Sequence, residues 1–443
     1  MKKFLGWFLC LMLGVSMFGA DFYVSPSVGK KKGPGTKEAP FRGIFDAVKA
    51  AKDGDTIHLA QGTYTGQMGA SEIIIDKAVS LIGGYSPDFS ERNVTKYPTL
   101  IQPVNEKNNT KGIGLLTLKP PAGPGPDMVI DGLVIDQGFM NSYHDSKGKP
   151  EGVETGMWLE PPAKGSKDQF ASAKSYSIYK ETQNRYEGNL TIQNCVIANA
   201  GNYGVNISHY KGEVKILNNV FVACRMESCE VSCSNAQAGA VTCEFAYNTV
   251  LFTWSRTDDF SDMGYGFRCL SKVTSNIHNN IFGLNVFAGV SDDKGDDKTK
   301  NISLDNNLFF LNKRADVTVT KSPNILPLRV ANEKDFEDLA DYPGIESVED
   351  NISLNDPAAF KGKINEAYLT AFLNASYSET TDYDENSPAN VFRAAMGMNK
   401  VGKITTKVSM YGNRYPLAET YALFGAIDGY GAQAIGSRAP AIN

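Results

Sequence analysis

The sequence predicts an all-β fold: a right-handed parallel β-helix with an N-terminal capping helix and an irregular C-terminal extension. Three observations predict it. A short apolar pattern with Asn near its centre recurs along the chain. The copies are unevenly spaced, as in a solenoid whose insertions gather at one corner of the coil. After an apolar leader, the chain reads as a strand, a short amphipathic helix and a second strand.

The recurring segments are "VIDGLV" (129–134), "IQNCVI" (192–197), "ILNNVF" (216–221), "FAYNTV" (245–250), "IHNNIF" (277–282) and "LDNNLF" (304–309). Their central residues are Asp131, Asn194, Asn218, Tyr247, Asn279 and Asn306, separated by 63, 24, 29, 32 and 27 residues. Each segment is too short and too rich in β-formers for a helix. Asn or Gly at the centre suits the left-handed backbone of a sharp bend between two strands. Stacked bends align Asn amides for mutual hydrogen bonding. A β-propeller needs longer, steadier repeats of about four strands. Handedness follows the crossover rule for parallel strands.

The leader, "MKKFLGWFLCLMLGVSMFGA", has Lys2 and Lys3, an apolar run and then small residues. That is a secretory signal peptide pattern over residues 1–20. It predicts export to the periplasm, the cell surface or the medium. No later stretch is long and apolar enough to span a bilayer, so no membrane span is expected after cleavage. The formal net charge is −5 and no basic patch stands out, so nucleic acid is not an expected partner. With 21% charged and 42% hydrophobic residues the composition is globular. Cys195, Cys224, Cys229, Cys233, Cys243 and Cys269 follow the leader. Export permits disulfides among them, while several fall where a stacked coil points a side chain inward. Their spacing does not make two CxxC pairs, so zinc is not expected.

Residues 22–64, "FYVSPSVGKKKGPGTKEAPFRGIFDAVKAAKDGDTIHLAQGTY", contain a strand (Phe22–Val24) and a strand (Thr56–Leu59). Between them lies a helix with Ile44, Ala47, Val48 and Ala51 on one face. Such a helix covers the open end of a solenoid core. This segment resembles the N-terminal segment of exported right-handed β-helix proteins of the pectate-lyase-like and mannuronan-epimerase-like superfamily. The resemblance is specific for fold and poor for activity. The solenoid is expected over 21–311, with a long insertion at 139–187. Residues 312–443 are expected to cap it or pack along it. There, "EKDFEDLADYPG", "KINEAYLTAFLNA" and "SPANVFRAAMGM" read as short helices, and "YALFGAIDGYGAQAIG" as strand-like.

The stretch "TWSRTDDFSDMGYGFRC" (253–269) interrupts one coil with charge. Aligning Gly204-Val205-Asn206-Ile207, Ser228-Cys229-Glu230-Val231 and Gly266-Phe267-Arg268-Cys269 points Val205, Cys229 and Phe267 inward. Asn206, Glu230 and Arg268 then stack outward. The insertion enters that outward face, and His209 follows on the same strand. Glu230, Arg268, Arg256, Asp258, Asp259 and Asp262 are therefore expected to converge on one exterior groove, a candidate site. Trp254, His209, Asn206, Tyr143 and Trp158 are candidate substrate contacts. The insertion adds Tyr176, Tyr179 and Tyr186, an aromatic density suited to a sugar-stacking lid or simply to packing the insertion itself.

The Asp-Asp-x-x-Asp run resembles the calcium-binding run of one pectate lyase family, although Phe260 stands where that family has Gly. The resemblance implies that Asp258, Asp259 and Asp262 are the ligands of a calcium ion that neutralises a uronate carboxylate, and that Arg268, Arg256 and Glu230 are the catalytic set, with Arg268 or Arg256 as the base. Elimination gives a lyase; return of the proton to the opposite face gives a C5-epimerase. The solvated-turn reading of the same aspartates stands beside it. The functional expectation is thus a calcium-dependent lyase or epimerase acting on an acidic polysaccharide. The alternative is a non-catalytic β-helix for glycan binding or envelope assembly.

Overall fold

The computed structural model describes residues 19–66, 72–103, 114–138, 176–255, 263–377, 384–402, 414–427 and 429–433. Three long sheets run the length of the molecule, of ten, nine and nine strands. Each coil adds one strand to each sheet in turn. The coil Leu190–Gln193, Val196–Ala198, Tyr203–His209 is followed by Gly212–Leu217, Val220–Val222, Glu227–Cys233. Pairing between these coils is parallel and in register, Ile192 beside Ile216, Val196 beside Val220 and Val205 beside Cys229. The chain is a parallel β-helix. In the three long sheets only the last pair of the third sheet, Ala315–Lys321 with Asn324–Leu328, is antiparallel.

The corners explain the repeat. Asn194, Asn218, Tyr247, Asn279 and Asn306 have φ between 53° and 56°. Asn199, Ala223, Phe252, Leu284 and Leu311, five residues further on, are also left-handed. Two such bends bracket each three-residue strand of the second sheet, and the pattern Asn-x-apolar-apolar is the sequence trace of that geometry. The first repeat shifts by one residue from the sequence alignment. Asp131 pairs with Gln193, so Gly132 (φ 70°), not Asp131, occupies the bend.

The amide ladder also differs from expectation. The bend residues form only a short chain, Asn218 Nδ2 to Asn194 Oδ1 at 2.8 Å and Asn194 Nδ2 to Asp131 Oδ1 at 2.9 Å. The long ladder lies one residue later and inside. Asn219, Asn248, Asn280 and Asn307 each donate Nδ2 to the Oδ1 of the next member, at 2.9–3.1 Å, and the ladder ends at Asn351. Each of Asn248, Asn280, Asn307 and Asn351 also accepts from the backbone N–H of the preceding member. Buried amides are tolerated because every rung is paired.

The core between the sheets is aliphatic and aromatic, with Phe221, Phe245, Phe267, Phe282 and Phe309 in contact along the axis. Cys195, Cys224, Cys229, Cys243 and Cys269 are buried thiols and Cys233 is half-buried; all six are free. Helix α1 (Ile44–Ala50) buries Ile44, Ala47 and Val48 over the N-terminal end. Helix α2 (Glu333–Ala340) brings Leu339 to the opposite end of the same core.

Solenoid strands continue beyond Leu311. Ile345–Ser347 and Ile352–Ser353 extend the first and second sheets, although their sequences no longer carry the repeat. Helices α3 (Glu366–Ser376) and α4 (Pro388–Ala395) then lie on the outer face of the second sheet. Phe360, Leu369, Phe372 and Phe392 share a buried cluster with Val196, Val220, Leu251 and Ile281. The bend asparagines grip this extension: Tyr415 N–H donates to Asn199 Oδ1 at 2.8 Å and Gln433 N–H to Asn218 Oδ1 at 2.7 Å. The strand-like reading of 421–436 is corrected over its described part. Tyr421–Leu423 is a 3-10 turn and Ile427 makes a single bridge to Tyr430, because the Gly-rich run follows the sheet surface instead of joining it.

Candidate functional site

With the second sheet covered, the third sheet offers an outer face marked by stacked aromatic and charged residues. Its strands place Tyr179, Asn206, Glu230, Arg268 and Ser291 side by side on successive coils. The inward partners Val205, Cys229 and Phe267, and Ile207, Val231 and Cys269, are all in the core. The register and facing read from the sequence therefore hold for these three coils.

A second row, Tyr176, Tyr203, Glu227, Tyr265 and Ala288, runs beside the first. Simple alternation assigns Glu227 the same side as Cys229. The coil instead turns two consecutive residues inward, Ser228 and Cys229. Ser228 Oγ lies 2.6 Å from the buried Thr253 Oγ1. A Cβ added to Gly204 or Gly266, at the matching position, would come within 2.4 Å of a neighbouring carbonyl oxygen. Small residues at this corner let Glu227 and Glu230 reach the same partner.

That partner is Arg268. Its Nη1 donates to Glu227 Oε1 at 2.8 Å and to Glu230 Oε2 at 3.4 Å, and its Nη2 to Asp293 Oδ1 at 2.5 Å. Asn206 Nδ2 donates to the other Glu230 oxygen at 2.9 Å. The Arg268 side chain is 24% exposed, Glu230 15% and Asp293 31%, whereas Glu227 is shut off completely. Tyr176 stacks on Tyr179 at 4.6 Å and 14°, and lies 5.1 Å from Tyr203. Tyr265 packs edge-on to Phe287 at 4.8 Å, with the Arg268 guanidinium 5.7 Å from its ring centre.

The charges shape one another. Burial, then the Glu230 anion, raises the Glu227 carboxyl well above the ordinary carboxylate range, with Arg268 pulling the other way. Burial disfavours the Arg268 cation, but Glu227, Asp293 and Glu230 reverse that effect and hold its pKa above the usual value. A guanidinium clasped by three carboxylates does not give up its proton. The expected role of Arg268 as proton-abstracting base is therefore corrected: here it is a fixed cation and hydrogen-bond donor.

Two expected substrate contacts are also corrected. Trp254 is only 1% exposed and belongs to the layer beneath the C-terminal helices. Its indole N–H points to Ala223 O at 3.4 Å, because Phe252 to Trp254 follows the second bend rather than the outer face. His209 is 0% exposed, with Nε2 donating to Gly188 O at 2.9 Å. Burial first, and the neighbouring Lys180 second, lower its pKa to about 4. Arg256, Asp258, Asp259, Asp262, Tyr143 and Trp158 lie outside the described residues. Among the described residues no group of three or more His, Cys, Asp or Glu side chains is arranged to hold a metal ion.

The sequence reading missed Glu227, Asp293, Tyr203 and Tyr265. Only the parallel between "YGVN", "ESCE" and "YGFR" marks their shared corner. Residues 139–175 and 256–262, outside the described residues, each fall in sequence between a described second-sheet strand and a described third-sheet strand. The first leads into the strand of Tyr176 and Tyr179, and the second into that of Tyr265 and Arg268.

Residues 27–96 match the family model described as "Protein of unknown function (DUF1565)". No curated protein matches the chain significantly. Among solved structures, the chain is similar to the pectate lyase Pel9A at 12% identity and a TM-score of 0.41, covering 88% of this chain and 89% of that one. It is also similar to a rhamnogalacturonan lyase at 11% identity and a TM-score of 0.39, covering 94% and 100%.

Proposed function

We propose that this chain acts on a polysaccharide, seated along the outer face of the third sheet. The observation that carries the reading is Arg268 bonded to carboxylates from neighbouring coils beside the stacked Tyr176 and Tyr179. Aromatic faces pack on the apolar faces of sugar rings, and fixed carboxylate, amide and guanidinium groups bond their hydroxyls. Strands hold such groups more firmly than loops do.

The finer reading is a calcium-dependent lyase or C5-epimerase on an acidic glycan in an exported protein. Charge supports the calcium requirement: Glu230 and Asp293 outnumber Arg268 on the accessible face. A uronate polymer needs a cation to lie against that surface. Asp258, Asp259 and Asp262 are assigned to hold calcium, which when bound neutralises the uronate carboxylate and acidifies the C5 hydrogen. Glu230, a partly exposed carboxylate on the outward row of the strand, replaces Arg268 as the base. It takes the C5 proton; the electron pair forms the C4–C5 double bond as the C4–O bond breaks, and water protonates the leaving oxygen. Proton return to the opposite face of C5 gives the epimer. Arg268 faces the negative charge that develops on the substrate carboxylate.

The test incubates the protein with polygalacturonate, alginate and neutral plant polysaccharides, with and without calcium. Ultraviolet absorbance reads unsaturated product, and solvent hydrogen exchange at C5 reads epimerisation. Calcium-dependent product or exchange that disappears in Glu230→Gln supports the enzyme. Calcium-dependent binding without either favours the non-catalytic alternative, a glycan-binding module. The same closed Arg268 cluster gives that alternative its support.

A further inference from the structure

Glu227 is fully buried, yet one of its two oxygens, Oε2, has no hydrogen-bond partner among the described residues. Its other oxygen accepts from Arg268. An ionised carboxylate with an unpaired oxygen away from water is costly, and a single shared guanidinium does not relieve it. Arg268 is already engaged by Glu230 and Asp293. A proton on Oε2 removes the buried charge and turns the orphaned oxygen into a donor, in a side chain that lies against the Glu230 carboxylate.

The groups around this carboxyl sharpen the point. Glu230 lies on its own strand, Tyr203 and Tyr176 on the preceding coils, and Tyr265 and Arg268 on the following one. Asp293 reaches Arg268 from the next coil. Three carboxylates thus compete for one cation, and the innermost is the one that water cannot reach. When like charges crowd a site, the most desolvated group keeps the proton.

We propose that Glu227 is the positioning residue of this face: a neutral carboxylic acid, protonated on Oε2, that fixes Arg268 and Glu230 against each other. It does not touch substrate. Its proton keeps the cluster of Glu227, Glu230, Asp293 and Arg268 from carrying a further negative charge beyond that of the accessible Glu230 and Asp293 against Arg268. Losing that proton adds a buried negative charge beside Glu230 and makes the face more anionic. This inference rests on the glycan-binding reading for its consequence, but not for its direct test.

The direct test is infrared difference spectroscopy of the full protein at neutral pH against alkaline pH, without glycan. Wild type is expected to show a protonated carboxylic acid band at neutral pH that bleaches in alkali, and Glu227→Gln to lack it. An identical spectrum in Glu227→Gln, or no such band in wild type, overturns the proposal. The consequence is read as glycan affinity against pH, using whichever polysaccharide of the panel above binds. Wild type should lose affinity by about tenfold on the alkaline side, whereas Glu227→Gln, a permanently neutral mimic, should hold it. Glu227→Asp, acidic but shorter, should keep an alkaline limb. Parallel pH profiles for wild type and Glu227→Gln overturn the positioning role. A band with the expected behaviour in a protein that binds no glycan sinks the glycan reading and leaves the buried acid standing.

Discussion

Arg268 and Glu230 stand side by side on adjacent strands, and the Nη1 that reaches Glu230 at 3.4 Å also reaches the fully buried Glu227 at 2.8 Å. One guanidinium therefore ties the surface of the third sheet to a group beneath it. Replacing Arg268 by Met keeps an unbranched but shorter side chain and removes every donor. The variant should lose about 2–4 kcal/mol of stability, since it strands partly buried acceptors. Urea denaturation measures this. Combining it with Glu227→Gln should return part of the loss, because the amide supplies its own donors and no charge. An unchanged midpoint for Arg268→Met would mean that the cluster is fully solvated.

The interior amide ladder predicts a larger sensitivity than its polarity suggests. Asn248 Oδ1 accepts from both the backbone N–H and the side-chain amide of Asn219, and its own Nδ2 donates to Ile216 O at 2.8 Å and to Asn280 Oδ1 at 3.1 Å. Asn248→Ala leaves Asn219 N–H and Ile216 O buried and unpaired. The expected cost is about 2–6 kcal/mol, at roughly 1–3 kcal/mol per orphaned group. Asn276→Ala, on the outward side of the first sheet and exposed, should change stability by less than about 0.5 kcal/mol. Equal effects at the two positions would contradict the ladder.

How much of this was legible in the sequence follows from period and packing. The inward row Val205, Cys229 and Phe267 alternates with Asn206, Glu230 and Arg268, and two-residue alternation fixes which side each occupies. The bends were legible because five of them place Asn or Tyr at one repeating position. The misplacement of Asp131 arose because Gly132, not an Asn, fills that bend, and either residue suits a left-handed backbone. Glu227 was hidden because the corner turns Ser228 and Cys229 inward together, which breaks the alternation. Trp254 looked like a sugar platform because nothing local announces that helices more than a hundred residues later cover the second sheet. Asp293 belongs to a charged turn, and only the register of the next coil brings it to Arg268.

His209 gives a pH signature independent of any ligand. The folded protein holds it neutral, with a pKa lowered to about 4 by burial and then by Lys180. The unfolded chain binds this proton near pH 6.5. Between those values unfolding takes up a proton, so His209's contribution is complete above about pH 6.5 and is lost as pH falls towards 4. The loss amounts to about 3 kcal/mol, at roughly 1.4 kcal/mol per unit of pKa. His209→Gln retains a donor for Gly188 O and cannot titrate. Its thermal midpoint between pH 7 and pH 4 should fall less steeply than that of wild type; identical slopes would show that His209 is protonated in the folded state.

The central claim is that glycan lies on the outer face of the third sheet. Titration calorimetry of the polysaccharide panel, with and without calcium, against wild type and the Tyr176→Ala/Tyr179→Ala double variant tests it most directly. The account predicts that an acidic glycan binds only with calcium. It also predicts that removing the stacked pair weakens binding by at least about tenfold, or 1.4 kcal/mol, with the denaturation midpoint little changed. Binding that is unaffected by the double substitution, or no binding by any polysaccharide in either condition, would contradict it.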